Sequence, residues 1–270
     1  METSNSQIEI FFHTIGPKIL DLVATNRKKN AVILQKVETI DSVDFATEMD
    51  VAVEELIVKT IKEKFPTDAI LAEEKNSHTS LEQQGRIWII DPICGTANFS
   101  RGLPLYVSNI ALAENGKLVA SCIVDHLFGK YFWSIGSGVY QGTELIKIEK
   151  KYKGTIVDID LGALISAPQE VKNRYAKFVD KFIRETDISC VGLNTSLSFL
   201  FVVTGIYDGF VTPWVHTWDI AASLFLIQQV GGVVTDIDGN SWKLNTPNAV
   251  VALDPNLHTR LIKVLQKTKV

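Results

Sequence analysis

Four acids stand where apolar segments end: Asp50, Glu73, Asp91 and Asp219. The clearest is Asp91, inside the run Trp88-Ile89-Ile90-Asp91-Pro92-Ile93-Cys94-Gly95-Thr96-Ala97-Asn98-Phe99. A buried strand ending on a carboxylate delivers it to a sheet edge. Gly95-Thr96 just beyond can open a helix whose N–H groups face an anion. Carboxylates, carbonyls and water suit Mg²⁺, and a pair of such ions suits hydrolysis of a phosphate ester. Each acid alone reads equally well as a cap or a surface charge; their company points to chemistry. Cys94 breaks the pattern, because its place suits a second hard acid and a thiol is soft and mostly protonated near neutral pH.

The elements that must carry these residues follow from periodicity. Thr47 predicts a helix cap with Asp50 in the first turn and Met49, Val53, Leu56, Ile57, Ile61 and Phe65 as the apolar stripe. Pro66-Thr67-Asp68 ends that helix. Ala69-Ile70-Leu71-Ala72 predicts a short buried strand running into Glu73-Glu74, residues 75–85 a loop, and residues 86–90 the strand that delivers Asp91. Upstream, Ile8, Phe11, Phe12, Ile15, Ile19, Leu22 and Val23 predict a helix over 7–26, kinked or split at Pro17 and closed by Arg27-Lys28-Lys29. Strands over 106–113 and 117–125 flank Asn115-Gly116, the strongest short hairpin signal, and 131–135 reads as another strand.

After about residue 150 the character changes. Strands near 155–161, 188–191, 207–211, 233–236 and 249–253 alternate with helices near 169–185, 196–204, 218–230 and 255–267. The expected division is 1–150, an α+β half with an antiparallel sheet and most candidate residues, and 151–270, an α/β half contributing Asp219. No linker separates them.

Composition narrows the class. A chain of 270 residues with 46% hydrophobic residues is long enough for one large unit or two packed halves. A formal charge of −4, with no basic face, gives no reason to expect nucleic acid. Cys94, Cys122 and Cys190 are unpatterned, which argues for a reducing compartment. The polar N-terminus and the lack of a span-length apolar run complete the expectation of a cytoplasmic protein without membrane contact.

At residues 88–99 the chain resembles the first signature of the inositol monophosphatase family, W-I-[IV]-D-P-[IL]-D-G-T-x-N-F. His216-Thr217-Trp218-Asp219-Ile220-Ala221-Ala222 is similar to its second, W-D-x-A-A. Thr47-Glu48-Met49-Asp50 resembles the family's T-x-x-D, and Ala72-Glu73-Glu74 its G-E-E. Ile123-Val124-Asp125, the glycines between 136 and 142, and Gly231-Gly232-Val233-Val234-Thr235-Asp236 resemble further elements in the expected order, so that the similarity spans about residues 10 to 255.

The resemblance implies a layered α-β-α-β-α sandwich and a Mg²⁺-dependent phosphomonoesterase acting on a small polyol or sugar phosphate, commonly as a homodimer. By position, Glu73, Asp91 and the Ile93 carbonyl would hold a first ion; Asp91 and Asp219 would hold a second, with Cys94 at the altered ligand position. Thr96 paired with Asp50 would orient the attacking water, with Glu73 counted among the catalytic groups. Gly95, Thr96 and Asp219 would contact substrate. Thr212 stands where animal members carry a Glu that touches inositol, so the particular ester stays open; fructose 1,6-bisphosphate is a further candidate.

Cys94 leaves three expectations open: a weakened second ion, a softer ion such as Zn²⁺ or Mn²⁺, or a silent relative that binds a phosphorylated metabolite or a protein partner. A cysteine-nucleophile phosphatase is excluded, because its C-x5-R loop would need an Arg at Ser100, and Arg101 comes one place late.

Overall fold

The computed structural model describes residues 2–26, 33–35, 45–82, 84–148 and 153–269. The chain opens with helix α1 (Glu2–Asn26), a short ribbon of β1 (Ile33–Gln35) and β2 (Phe45–Thr47), and helix α2 (Glu48–Lys64). Strands β3 (Ala69–Ala72) and β4 (Arg86–Cys94) lead to a single helical turn, α3 (Thr96–Ser100). Then come β5 (Val107–Glu114), β6 (Lys117–Asp125), β7 (Lys130–Ser134), β8 (Tyr140–Gln141) and β9 (Glu144–Leu145). The remainder is β10 (Ile156–Ile159), α4 (Gln169–Glu185), β11 (Ser189–Val191), α5 (Leu197–Val203), β12 (Gly209–Thr212), α6 (Thr217–Gln229), β13 (Val233–Thr235), β14 (Ala249–Ala252) and α7 (Pro255–Gln266).

Two larger sheets result. The first runs β3-β4-β5-β6-β7-β8-β9 and is antiparallel except for the parallel β3/β4 pair. The second runs β11-β10-β12-β14-β13, parallel on one side and antiparallel on the other. Alternation along β4 explains the layering. Trp88 and Ile90 join the core beneath α1 and α2, while Ile87 and Ile89 join the core shared with α5, α6 and the second sheet. A strand buried on both faces reads as a continuous apolar run, which is why β4 is so plain in the sequence. The outer core packs Val157, Val211 and Val250 against Tyr175, Phe178 and Leu261 of α4 and α7. The layers are therefore helix, sheet, helix, sheet, helix, as expected.

Most elements fall within a few residues of their sequence expectation. Pro17, however, does not split α1, which runs unbroken from Glu2 to Asn26. The proline lies on the exposed side, while Phe12, Ile15 and Ile19 on either side of it are buried against the first sheet and hold the helix together. The β1/β2 ribbon has no sequence signal, since strands of three residues are too short to show alternation. The basic closing triplet at 27–29 and the half boundary near 150 lie outside the described residues. No helix among the described residues is long and apolar enough to cross a membrane.

Candidate active site

Asp91 is delivered by β4, where alternation turns it toward α6, the helix that carries Asp219 in its first turn. Pairing of β4 with β5 breaks register between Asp91 and Cys94, a bulge that re-aims the strand end at the site. One ligand atom from each of Asp91, Cys94 and Asp219 lies within 4.8 Å of the others. These three form the only such group found among the described residues.

Asp91 is 1% exposed, and neither of its carboxylate oxygens has a well-formed hydrogen bond. Burial pushes its carboxyl well above the ordinary range, the charges of Glu73 and Asp219 add to the rise, and the Cys94 side chain acts the other way. A buried carboxylate without donors is costly unless a proton or a cation neutralises it. Carboxylate oxygens converging on such a group are the donor set of a divalent cation, and the residues present fit one.

Asp50 anchors a second part of the site. It is fully buried; one oxygen accepts the Thr47 N–H (2.8 Å) and the Thr47 hydroxyl, completing the cap of α2. Its other oxygen lies 2.9 Å from the Thr96 hydroxyl, which is also 2.9 Å from the Ile93 carbonyl. Burial raises the Asp50 carboxyl, and hydrogen bonds from Thr47 and Thr96 hold the rise back. The Thr96–Asp50 pair drawn from the sequence is therefore present, and the Ile93 carbonyl stands beside it.

Gly95 makes the turn between β4 and α3 at φ +104°, a region that favours glycine. A Cβ there would sit 2.8 Å from the Leu105 carbonyl and 3.0 Å from the Thr195 hydroxyl, so the position is closed sterically as well. Glu73 lies outside the tight group, yet its charge bears on both Asp91 and Asp50. Its N–H donates to the Ile90 carbonyl, tying the end of β3 to β4.

Thr212 is fully buried in β12, and its hydroxyl donates to Asp160 at 2.9 Å. His216, exposed at the start of α6, stacks on Trp218, and its N–H donates to the Asp219 carboxylate at 2.7 Å.

Four positioning groups escape sequence reasoning. Glu54, buried on α2, accepts from the Glu74 and Lys75 N–H groups and from Asn76, fixing the turn after Glu73. An acid beside the apolar stripe of α2 was the available signal. Asn109, paired across the sheet with Asp91, donates to the Asp219 carbonyl. Thr195 and Ser196 reach Cys94 from more than a hundred residues away, donating to its carbonyl (2.9 Å) and to its sulfur (3.2 Å). No local pattern could pair them.

A family model described as the inositol monophosphatase family matches residues 4–269. A Thermotoga maritima protein named fructose-1,6-bisphosphatase/inositol-1-monophosphatase is 28% identical, with 83% of each chain covered. A Xylella fastidiosa protein named Nus factor SuhB is 30% identical, again with 83% of each covered. Among solved structures, the Thermotoga maritima IMPase superposes with a TM-score of 0.77 at 26% identity, with 95% of each chain covered.

Proposed function

The chain belongs to the inositol monophosphatase family, and from that premise we propose that it is a divalent-cation-dependent phosphomonoesterase of small polyol or sugar phosphates. The observation that carries the reading is the buried Asp91, without well-formed hydrogen bonds, facing Asp219 beside a preformed Thr96–Asp50 pair. Asp91 and Asp219, with Glu73 and the Ile93 carbonyl alongside, would hold the cations, Mg²⁺ among them. When bound, such ions supply positive charge to the phosphate and to the leaving oxygen.

The chain's own residues do the rest. Thr96 gives its hydroxyl proton to the Asp50 oxygen, which leaves the Thr96 oxygen as an acceptor that orients the attacking water. Burial makes Asp50 a stronger base than an ordinary aspartate, which suits it to hold the Thr96 hydroxyl proton. The Gly95-Thr96 turn, held against Thr195, presents its backbone to the phosphate. Catalysis of this kind rests on positioning and charge. The expected products are the alcohol and inorganic phosphate, and a homodimer is the working unit in this reading.

The test is hydrolysis of a panel of sugar and polyol phosphates with Mg²⁺, Mn²⁺ and Zn²⁺, for the native protein beside Cys94→Asp. Turnover by the native protein that is lost on Asp91→Asn supports the reading. Inactivity of both across the panel sinks it. A second reading, a binding protein without turnover, is favoured by Cys94 in the cluster and by relatives named Nus factor SuhB. Turnover by Cys94→Asp alone would favour that second reading for the native chain.

A further inference from the structure

Ser196, directly before α5, joins the two halves of the cluster. It is 4% exposed, its hydroxyl donates to the Asp219 carbonyl at 2.5 Å, and the same oxygen lies 2.8 Å from the Cys94 sulfur. A hydroxyl has one proton. With that proton on the Asp219 carbonyl, the short contact to Cys94 is made by the thiol's own proton. The Ser196 N–H meanwhile donates to the sulfur at 3.2 Å. The backbone on either side is clamped as well, since Thr195 donates to the Cys94 carbonyl and Asn98 donates to the Leu193 and Leu105 carbonyls. Cys94 is thus held with its sulfur within 4.8 Å of carboxylate oxygens from Asp91 and Asp219, both Asp91 oxygens being buried without a well-formed hydrogen bond.

Without Ser196 the thiol could rotate out of this group. With it, the sulfur is fixed toward the acids and accepts the Ser196 N–H, and once the thiol gives up its proton to solvent on binding a cation, the Ser196 hydroxyl can turn from the Asp219 carbonyl to share the charge on the sulfur. Outer-shell hydrogen bonds of this kind orient a ligand and tune its basicity. A sulfur donor among carboxylates shifts preference toward thiophilic ions.

We propose that Ser196 is a positioning residue that holds Cys94 as a soft third donor beside Asp91 and Asp219, so that this position takes a thiophilic divalent cation of the Zn²⁺ or Cd²⁺ class. The proposal rests on the reading that Asp91 and Asp219 hold a cation. Neither residue role follows from the signature motifs, which have an acid in place of Cys94 and do not include Ser196.

The test titrates Cd²⁺ into the full chain without substrate, following the ultraviolet sulfur-to-cadmium charge-transfer band, with Mg²⁺ binding measured by calorimetry. A Cys190→Ser background removes the exposed thiol. The band is expected in this parent and absent in Cys94→Ser. In Ser196→Ala it should need about ten- to hundred-fold more Cd²⁺, with Mg²⁺ affinity moving far less. Should the alanine protein fail to fold, Ser196→Thr and Ser196→Val carry the comparison, since they match in shape and differ in the hydroxyl. Only the threonine protein should bind Cd²⁺ near the parent affinity. No band in a parent that still binds Mg²⁺ overturns the proposal and leaves the phosphatase reading standing. Equal Cd²⁺ affinity in the Ser196 variants and the parent overturns it too. A Cys94-dependent band in a protein that hydrolyses nothing supports the proposal and counts against the phosphatase reading.

Discussion

Replacing Asp91 with asparagine should stabilise the cation-free protein while removing its response to cations. Asp91 is 1% exposed, has no well-formed hydrogen bond to either oxygen, and faces the charges of Glu73 and Asp219. An uncompensated buried charge costs about 3–5 kcal/mol. The asparagine amide would itself be unpaired, at about 1–3 kcal/mol, which leaves a net gain near 2 kcal/mol. At about 2–4 °C per kcal/mol for a chain of this size, the melting temperature in chelator should rise by about 4–8 °C.

The sign of the pH dependence follows from the raised carboxyl. Above its ordinary value of 3.8, the folded wild type keeps a proton that the unfolded chain has lost, so its stability falls as pH climbs through the folded value. The variant lacks this loss, and the gap between the two proteins widens with pH. Adding cation at a hundredfold excess over its dissociation constant should return about 2.7 kcal/mol to the wild type and none to the variant. Thermal melts of both proteins at pH 6 and 8, in chelator and in Mg²⁺ or Zn²⁺, read all of this. A variant that melts below wild type in chelator, or a cation that lifts both equally, refutes the reasoning.

Gly95→Ala should destabilise by about 2–4 kcal/mol in urea unfolding, because the turn needs positive φ and the new methyl would press on the Leu105 carbonyl. Thr96→Val, which removes the hydroxyl between Asp50 and the Ile93 carbonyl, should lower kcat by about a hundredfold or more with little change in KM. Cys94→Asp should tighten Mg²⁺ binding by calorimetry and raise turnover with Mg²⁺ relative to Zn²⁺. Asp158, fully buried in β10, is pushed up to about 6 by burial, against hydrogen bonds from Ser198 and Leu193. Between pH 4 and 8 its ionisation should cost the wild type about 2 kcal/mol that Asp158→Asn does not lose, measured as urea unfolding free energies at the two ends.

The sequence by itself determined what is local. Apolar runs buried on both faces made β4, β5 and β6 legible, the left-handed Asn115-Gly116 pair set the hairpin between β5 and β6, and Thr47 with Asp50 set the start of α2. Because strand and helix ends are fixed by such short-range rules, the acids at those ends were legible too, and the family signatures ordered them. Their convergence was not. Asp91 meets Asp219 because strand alternation turns one toward the helix that carries the other, across 128 positions of chain. The partners of the site, Glu54 beneath the Glu73 turn, Asn109 across the sheet and Ser196 between Cys94 and Asp219, are tertiary facts, as is the hydrogen bond from buried Thr212 to Asp160. Cys94 shows the division most clearly. Its identity was plain from the sequence, but the hydroxyl and N–H contacts that hold its sulfur among the acids come from a serine that only the packing of α5 against α6 brings there.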